Sequence, residues 1–203
     1  MVSNVKVLKT EVRKQLRKSL GLLSEEVVVR ESQQVVAQLL DLNAFKDSKR
    51  VSVYINMSGE IKTQEIIRQL FLQGKECFVP RCDGTRMEML RLNSYEDYLS
   101  LPLNKWKIPE PKLDEVREDA FETGGLDLII MPGLGFDLSG SRIGHGKGYY
   151  DRYLESCANS GKIPSTVALA LSAQIVEDNL PVDHFDRKPD LIITPQRIIY
   201  PKH

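Results

Sequence analysis

Residues 126–132 read Leu-Asp-Leu-Ile-Ile-Met-Pro, and residues 133–151 continue Gly-Leu-Gly-Phe-Asp-Leu-Ser-Gly-Ser-Arg-Ile-Gly-His-Gly-Lys-Gly-Tyr-Tyr-Asp. The first run is the strongest buried strand in the chain. A glycine-rich loop follows, and then a helix from about Tyr149 to Ala158. Working outward, Arg50–Ile55, Cys77–Pro80, Thr166–Leu171, Leu191–Thr194 and Arg197–Tyr200 read as further strands, and Met87–Leu92 as part of an antiparallel excursion. Leu8, Val12, Leu16 and Leu20 line one face of a first helix ending near Gly21. Ser24 caps a second helix with apolar Val28, Val35, Leu39 and Leu42, and Thr63 a third, stopped at Gly74. Strands alternating with helices predict an α/β layered fold with a mostly parallel sheet. No repeat, linker or low-complexity segment divides residues 1–203, so one domain is expected.

The chain has 203 residues, 28 Lys+Arg against 28 Asp+Glu, and 41% hydrophobic residues. That composition excludes disorder, and the balanced charge argues against a duplex-DNA or other nucleic-acid partner. No run approaches the ~18 apolar residues of a membrane span, and the N-terminus lacks a secretory apolar core. Cys77, Cys82 and Cys157 form no C-x-x-C pair, so they are read as packing thiols in a reduced, cytoplasmic compartment. The first helix does carry a basic stripe, Lys9, Arg13 and Arg17, which composition alone reads as a solvated face.

Chemistry concentrates in the glycine-rich loop. Doubly wound α/β proteins bind ligands outside the carboxyl ends of their strands, where this loop lies. Gly144, Gly146 and Gly148 allow positive φ and close approach of backbone N–H groups to an anion, the helix N-terminus favours phosphate, and Arg142 and Lys147 add full charges. The spacing fits neither a Walker A loop nor the dinucleotide fingerprint. Asp151 is placed either to compensate the helix dipole or to hold Mg²⁺, with a second carboxylate from Asp183, Asp186 or Asp190. His145, His184 and His203 lack the spacing of a zinc site, and no G-x-S-x-G elbow supports covalent hydrolysis.

Arg142-Ile-Gly-His-Gly-Lys-Gly-Tyr-Tyr-Asp151-Arg, preceded by Met131-Pro-Gly-Leu-Gly-Phe-Asp137, resembles the signature of the 5-formyltetrahydrofolate cyclo-ligase family, in its animal-type form. The resemblance extends through the basic first helix, Lys49-Arg50-Val51-Ser52 leading to Met57 and Glu60, Phe78-Val79-Pro80-Arg81, and Thr123-Gly-Gly-Leu-Asp127. It implies a three-layer, CoA-transferase-like architecture, with helices on both faces of the sheet and some antiparallel additions. It also implies a monomer acting on small molecules: ATP- and Mg²⁺-dependent cyclisation of 5-formyltetrahydrofolate to 5,10-methenyltetrahydrofolate, releasing ADP and phosphate. In the mechanism attributed to that family, the formyl oxygen attacks the γ-phosphate, nitrogen 10 then attacks the activated carbon, and phosphate leaves.

Carried over by position, the resemblance assigns Lys9, Arg13 and the run Arg142, Ile143, Gly144, His145, Gly146, Lys147, Gly148, Tyr149 and Tyr150 to ATP. Lys147 and Arg142 would stabilise the transferring phosphoryl group. Ile55, Glu60 and residues 145–149 would contact the folate, and Asp151 and Asp186 the metal. His145 stands where relatives often carry Arg or another residue, so the resemblance implies its backbone N–H in the site and leaves the role of its ring open. Trp106 is placed either against the folate rings or in the core. The competing function is a folate- or nucleotide-binding protein without turnover.

Overall fold

The computed structural model describes residues 4–201; His203 lies outside them. Its elements in chain order are α1 (Asn4–Leu20), α2 (Glu25–Asp41), α3 (Asn43–Asp47), β1 (Arg50–Val53), α4 (Gln64–Leu72), β2 (Glu76–Cys82), β3 (Met87–Leu92), α5 (Tyr95–Ser100), β4 (Leu128–Met131), β5 (Gly135–Asp137), β6 (Arg142–Ile143), α6 (Tyr149–Asn159), β7 (Ser165–Leu169), a 3-10 turn (Ser172–Gln174), β8 (Ile175–Val176), β9 (Leu191–Ile193) and β10 (Ile198–Ile199). Seven strands form the main sheet in the order β10-β9-β7-β4-β1-β2-β3. The five inner strands are parallel, and the two edges, β3 on β2 and β10 on β9, are antiparallel. The excursion expected at Met87–Leu92 is that antiparallel edge.

Strand alternation divides the core into two faces. Val51 and Val53 of β1, Leu128 and Ile130 of β4, and Val167 and Leu169 of β7 pack on the side of α1, α2 and α4. Ile129 and Met131 of β4 and Ala168 of β7 point the other way, toward Tyr153 and Cys157 of α6. A strand buried on both faces needs an unbroken apolar run, which is why Leu128–Met131 carries no polar residue. The three-layer α/β arrangement, helices on both faces, is thus present.

Several local expectations hold in modified form. Ser24 Oγ accepts the Val27 N–H as the cap of α2. Thr63 precedes α4 but does not cap it; its hydroxyl donates to Tyr54 O at 2.7 Å, tying the chain after β1 to the helix start. The apolar contact of α1 runs from Val12 through Leu16 and Leu20, and Leu8 is exposed. The glycine-rich loop contains β5 and β6, which with β8 make a separate three-stranded sheet. Its tight turn is built by Asp137, whose buried carboxylate accepts N–H groups from Ser139, Ser141 and Leu180, each at 2.9 Å. Burial opposes the Asp137 charge, but these bonds and those from the Ser139 and Ser141 hydroxyls outweigh it and hold its pKa below the ordinary value. The bond to Leu180 also pins the start of the late loop that carries Asp186. The three thiols are free, and burial pushes Cys82 up to about 12 and Cys157 up to about 11, so they sit as unreactive packing groups. No helix among the described residues is long and apolar enough to cross a membrane.

Candidate active site

Between β1 and β4 the strand order reverses, because the chain goes from β1 outward to β2 and later returns to lay β4 on its other side. Connections leaving the carboxyl ends of such neighbours diverge and open a crevice. The segment leaving β1 carries Ile55 and Glu60, and that leaving β4 carries the glycine loop.

The loop enters α6 through Gly148, which takes a left-handed conformation with φ 64°, and Gly146 has φ 108°. Side chains with a Cβ avoid both conformations, so glycine is required at each. Gly144, in contrast, does not adopt positive φ. No side chain caps α6 at its N-terminus, which leaves the positive end of the helix dipole open toward the loop.

Charged groups converge on this loop from three distant segments. Arg13 Nε donates to Gly144 O at 2.9 Å. Burial and the neighbouring Arg17 pull the Arg13 pKa down, and Asp186 offsets part of that. Lys9 Nζ pairs with Asp186 Oδ2, whose other donor is the Asp183 N–H at 2.6 Å. Arg142 is buried on β6; its Nη2 donates to Asp151 Oδ1 at 2.9 Å and its Nη1 to Pro132 O at 3.3 Å. Among the described residues Arg142 Nε is buried without a partner. The Arg187 N–H also reaches Asp151 Oδ1, at 3.1 Å, so the segment next to Asp186 is stitched to the first turn of α6. Lys147 is exposed, and its ammonium has no partner among the described residues.

Glu60 is buried. Its Oε2 accepts the Met57 N–H at 2.8 Å, and its Oε1 lies 3.4 Å from His145 Nε2. Tyr150 packs its ring 5.8 Å from the Arg142 guanidinium. Burial raises the pKa of its phenol, as do Cys82 and Glu60, against Arg142. Ile55 is buried, whereas Trp106 is 59% exposed with Lys105 over its ring, which removes the core placement. Asp190 is spent elsewhere, accepting the Thr166 N–H and hydroxyl, and Asp183 pairs with His184 at 2.6 Å.

Two residues of this region escaped prediction. Arg152 spans from Lys147 O at 2.7 Å to Thr85 O at 3.2 Å and stacks on Tyr149, clamping the end of the loop to the β2–β3 hairpin. Its only sequence signal is its place directly after Asp151. Asp137 reads as one more loop carboxylate until β5, β6 and the late loop are seen around it. Two open grooves, about 500 Å³ between α2 and α4 and about 420 Å³ beside α5, contain none of the loop residues. Converging charge, not concavity, locates the site.

No group of three or more His, Cys, Asp or Glu side chains converges among the described residues. Asp151 Oδ2 and Asp186 Oδ1 remain without hydrogen-bond partners among those residues. Two hard oxygen donors fit Mg²⁺, which draws its other ligands from phosphate and water.

The sequence profile of the 5-formyltetrahydrofolate cyclo-ligase family matches residues 5–195. The chain belongs to that family. A 5-formyltetrahydrofolate cyclo-ligase of Mus musculus is 43% identical over 188 residues, covering 91% of this chain and 92% of the mouse protein. A probable 5-formyltetrahydrofolate cyclo-ligase of Caenorhabditis elegans is 36% identical, covering 95% of each. Among solved structures, the 5,10-methenyltetrahydrofolate synthetase of Aquifex aeolicus superposes with a TM-score of 0.76 at 32% identity, covering 97% of this chain and 94% of that one. The synthetase of Mycoplasma pneumoniae, at 21% identity and a TM-score of 0.69, shares the fold. The family resemblance drawn from the loop signature is thereby shown, and the chain is a member of an enzyme family.

Proposed function

We propose that this single-domain chain cyclises 5-formyltetrahydrofolate to 5,10-methenyltetrahydrofolate at the expense of ATP, in the cytoplasm and as a monomer. The observation that carries the proposal is one connected set of contacts. Lys9 with Asp186, Arg142 with Asp151, and Arg13 with Gly144 O ring a glycine loop whose His145 touches the buried Glu60. Four cations, an open helix N-terminus and positive-φ glycines suit a polyphosphate. Glu60, with its chain-facing oxygen satisfied, presents the other to a ligand N–H, which suits the donor edge of a pterin.

In this assignment Lys9, Arg13 and residues 142–150 bind ATP, and Ile55, Glu60 and residues 145–149 bind the folate. Mg²⁺, held by Asp151 and Asp186 with phosphate oxygens and water, neutralises charge on the phosphates when bound. Lys147, which among the described residues has no partner, meets the γ-phosphate as the formyl oxygen attacks it. Arg142 contributes its charge from below, through Asp151. The bond from the γ-phosphorus to ADP breaks as the formyl oxygen takes the phosphoryl group; nitrogen 10 then closes the ring onto the activated carbon and gives up its proton, and phosphate departs carrying the former formyl oxygen. No step asks the protein for a nucleophile; holding the reactants in register supplies the rate.

The test is incubation with 5-formyltetrahydrofolate, ATP and Mg²⁺ while following the absorbance of the methenyl product. ATP-dependent product supports the proposal. Folded protein that binds both ligands and forms none is a binding protein, and the proposal falls.

A further inference from the structure

We infer that His145 is a positioning residue that couples the two substrate sites, so that nucleotide on the loop raises the affinity of Glu60 for folate. The inference rests on the assignment of Glu60 and the loop made above, and it gives the ring of His145 a use that the loop signature does not.

Glu60 is 6% exposed, and a carboxylate so buried depends on the donors around it. One oxygen is satisfied by the Met57 N–H at 2.8 Å. Among the described residues the other has a single hydrogen-bonding neighbour, His145 Nε2, and that contact is long at 3.4 Å. Hydrogen bonds at this distance are weak and strengthen steeply as they shorten. A shift of a few tenths of an ångström in His145 therefore changes how firmly Glu60 is oriented.

The loop is built to make that shift. His145 stands between Gly144 and Gly146, and the peptide just before it is held by Arg13 Nε on Gly144 O. Beyond it, Lys147 O is held by Arg152. Arg13 is one of the cations a polyphosphate would engage, and a phosphate oxygen competes with Gly144 O for its guanidinium. Nucleotide binding thus acts on the peptide that carries His145, and His145 is the side chain through which the loop reaches Glu60, 85 residues away in sequence. Coupling of this kind is reciprocal: folate that fixes Glu60 also favours the loop conformation that holds nucleotide.

The experiment is calorimetric titration of 5-formyltetrahydrofolate into the full chain, with and without a saturating non-hydrolysable ATP analogue and Mg²⁺. The parent is expected to bind folate about 5- to 10-fold tighter with the analogue present, within the usual range of coupling between sites. His145→Ala should bring that ratio to about 1 with an unchanged melting temperature, whatever its own effect on the folate Kd measured without analogue. His145→Gln, whose amide Nε2–H reaches nearly the same point, should restore the ratio. A ratio that survives in His145→Ala, or a parent ratio of 1, overturns the coupling. Glu60→Gln is the separate control: if it leaves folate affinity intact under both conditions, the assignment of Glu60 itself falls, whatever His145 does.

Discussion

Replacing both Lys9 and Arg13 by alanine separates a solvated basic stripe from a built site. Composition reads these residues as surface charges whose loss changes stability by no more than ~0.5 kcal/mol. In the structure the Lys9 side chain is 14% exposed against an Asp186 at 24%, and Arg13 donates to a backbone carbonyl at 2.9 Å. Hydrogen bonds to charged groups contribute about 1.5–3 kcal/mol each when buried. Partial exposure halves that, roughly, through solvent screening. The double variant should therefore lose about 1.5–3 kcal/mol without any ligand, which for a domain of this size lowers Tm by roughly 3–12 °C. Saturating nucleotide analogue with Mg²⁺ should stabilise the parent by ~2.7 kcal/mol at a hundred times Kd, and the variant by far less. The assay is thermal unfolding with and without analogue, alongside Lys14→Ala with Lys18→Ala, which removes equal charge from exposed positions on the same helix. Equal losses in the two double variants, in Tm and in ligand stabilisation, would show that only net charge matters.

Lys147→Ala should lower kcat by about 10²–10³ with little change in Tm, since its ammonium has no partner among the described residues; a variant that melts many degrees early would make Lys147 structural. Asp151→Asn and Asp186→Asn should each raise the Mg²⁺ concentration for half-maximal rate several-fold, roughly, whereas Asp183→Asn, already paired with His184, should do so little; three equal effects would reduce the loop to a diffuse acidic patch. Glu118 is held down from the ordinary 4.5 to about 2 by Arg91, Thr123 and Arg50. Its contribution is fully present above about pH 4.5 and lost as pH falls toward 2, so the Tm gap between the parent and Glu118→Gln should close over that window. A gap of constant size from pH 5 to pH 2 would count against the ion pairs.

Periodicity made the sheet legible because its inner strands are buried on both faces: Leu128–Met131 cannot be read as anything wet. It failed where order comes from polar contacts made at a distance. The two-residue strand β6 has no pattern of its own and exists because β5 lies beside it. α5 buries no residue fully, so it has no strong apolar stripe to announce it, only Ser94 as its cap. In the site, glycine spacing marked the loop and the basic stripe marked α1. The choice of Asp186 over Asp183 and Asp190 came from resemblance alone; in the structure each of the three has a partner, Lys9 for Asp186, His184 for Asp183 and Thr166 for Asp190. The burial of Glu60 was invisible because nothing local to residues 57–61 encodes what covers them.

The pairing of Lys9 with Asp186 spans 177 residues of chain. During synthesis α1 leaves the ribosome long before the loop that completes its charged face, and until that loop is made the ring of charges around the glycine loop cannot close. Contacts of such long sequence separation are the slow ones to form, because the entropy of closing the chain is spent before they return anything. On the assignment proposed above, nucleotide affinity needs both partners of this pair: truncation before Asp186 should abolish it as surely as removal of α1, and a nascent chain that has not yet reached Asp186 should bind none.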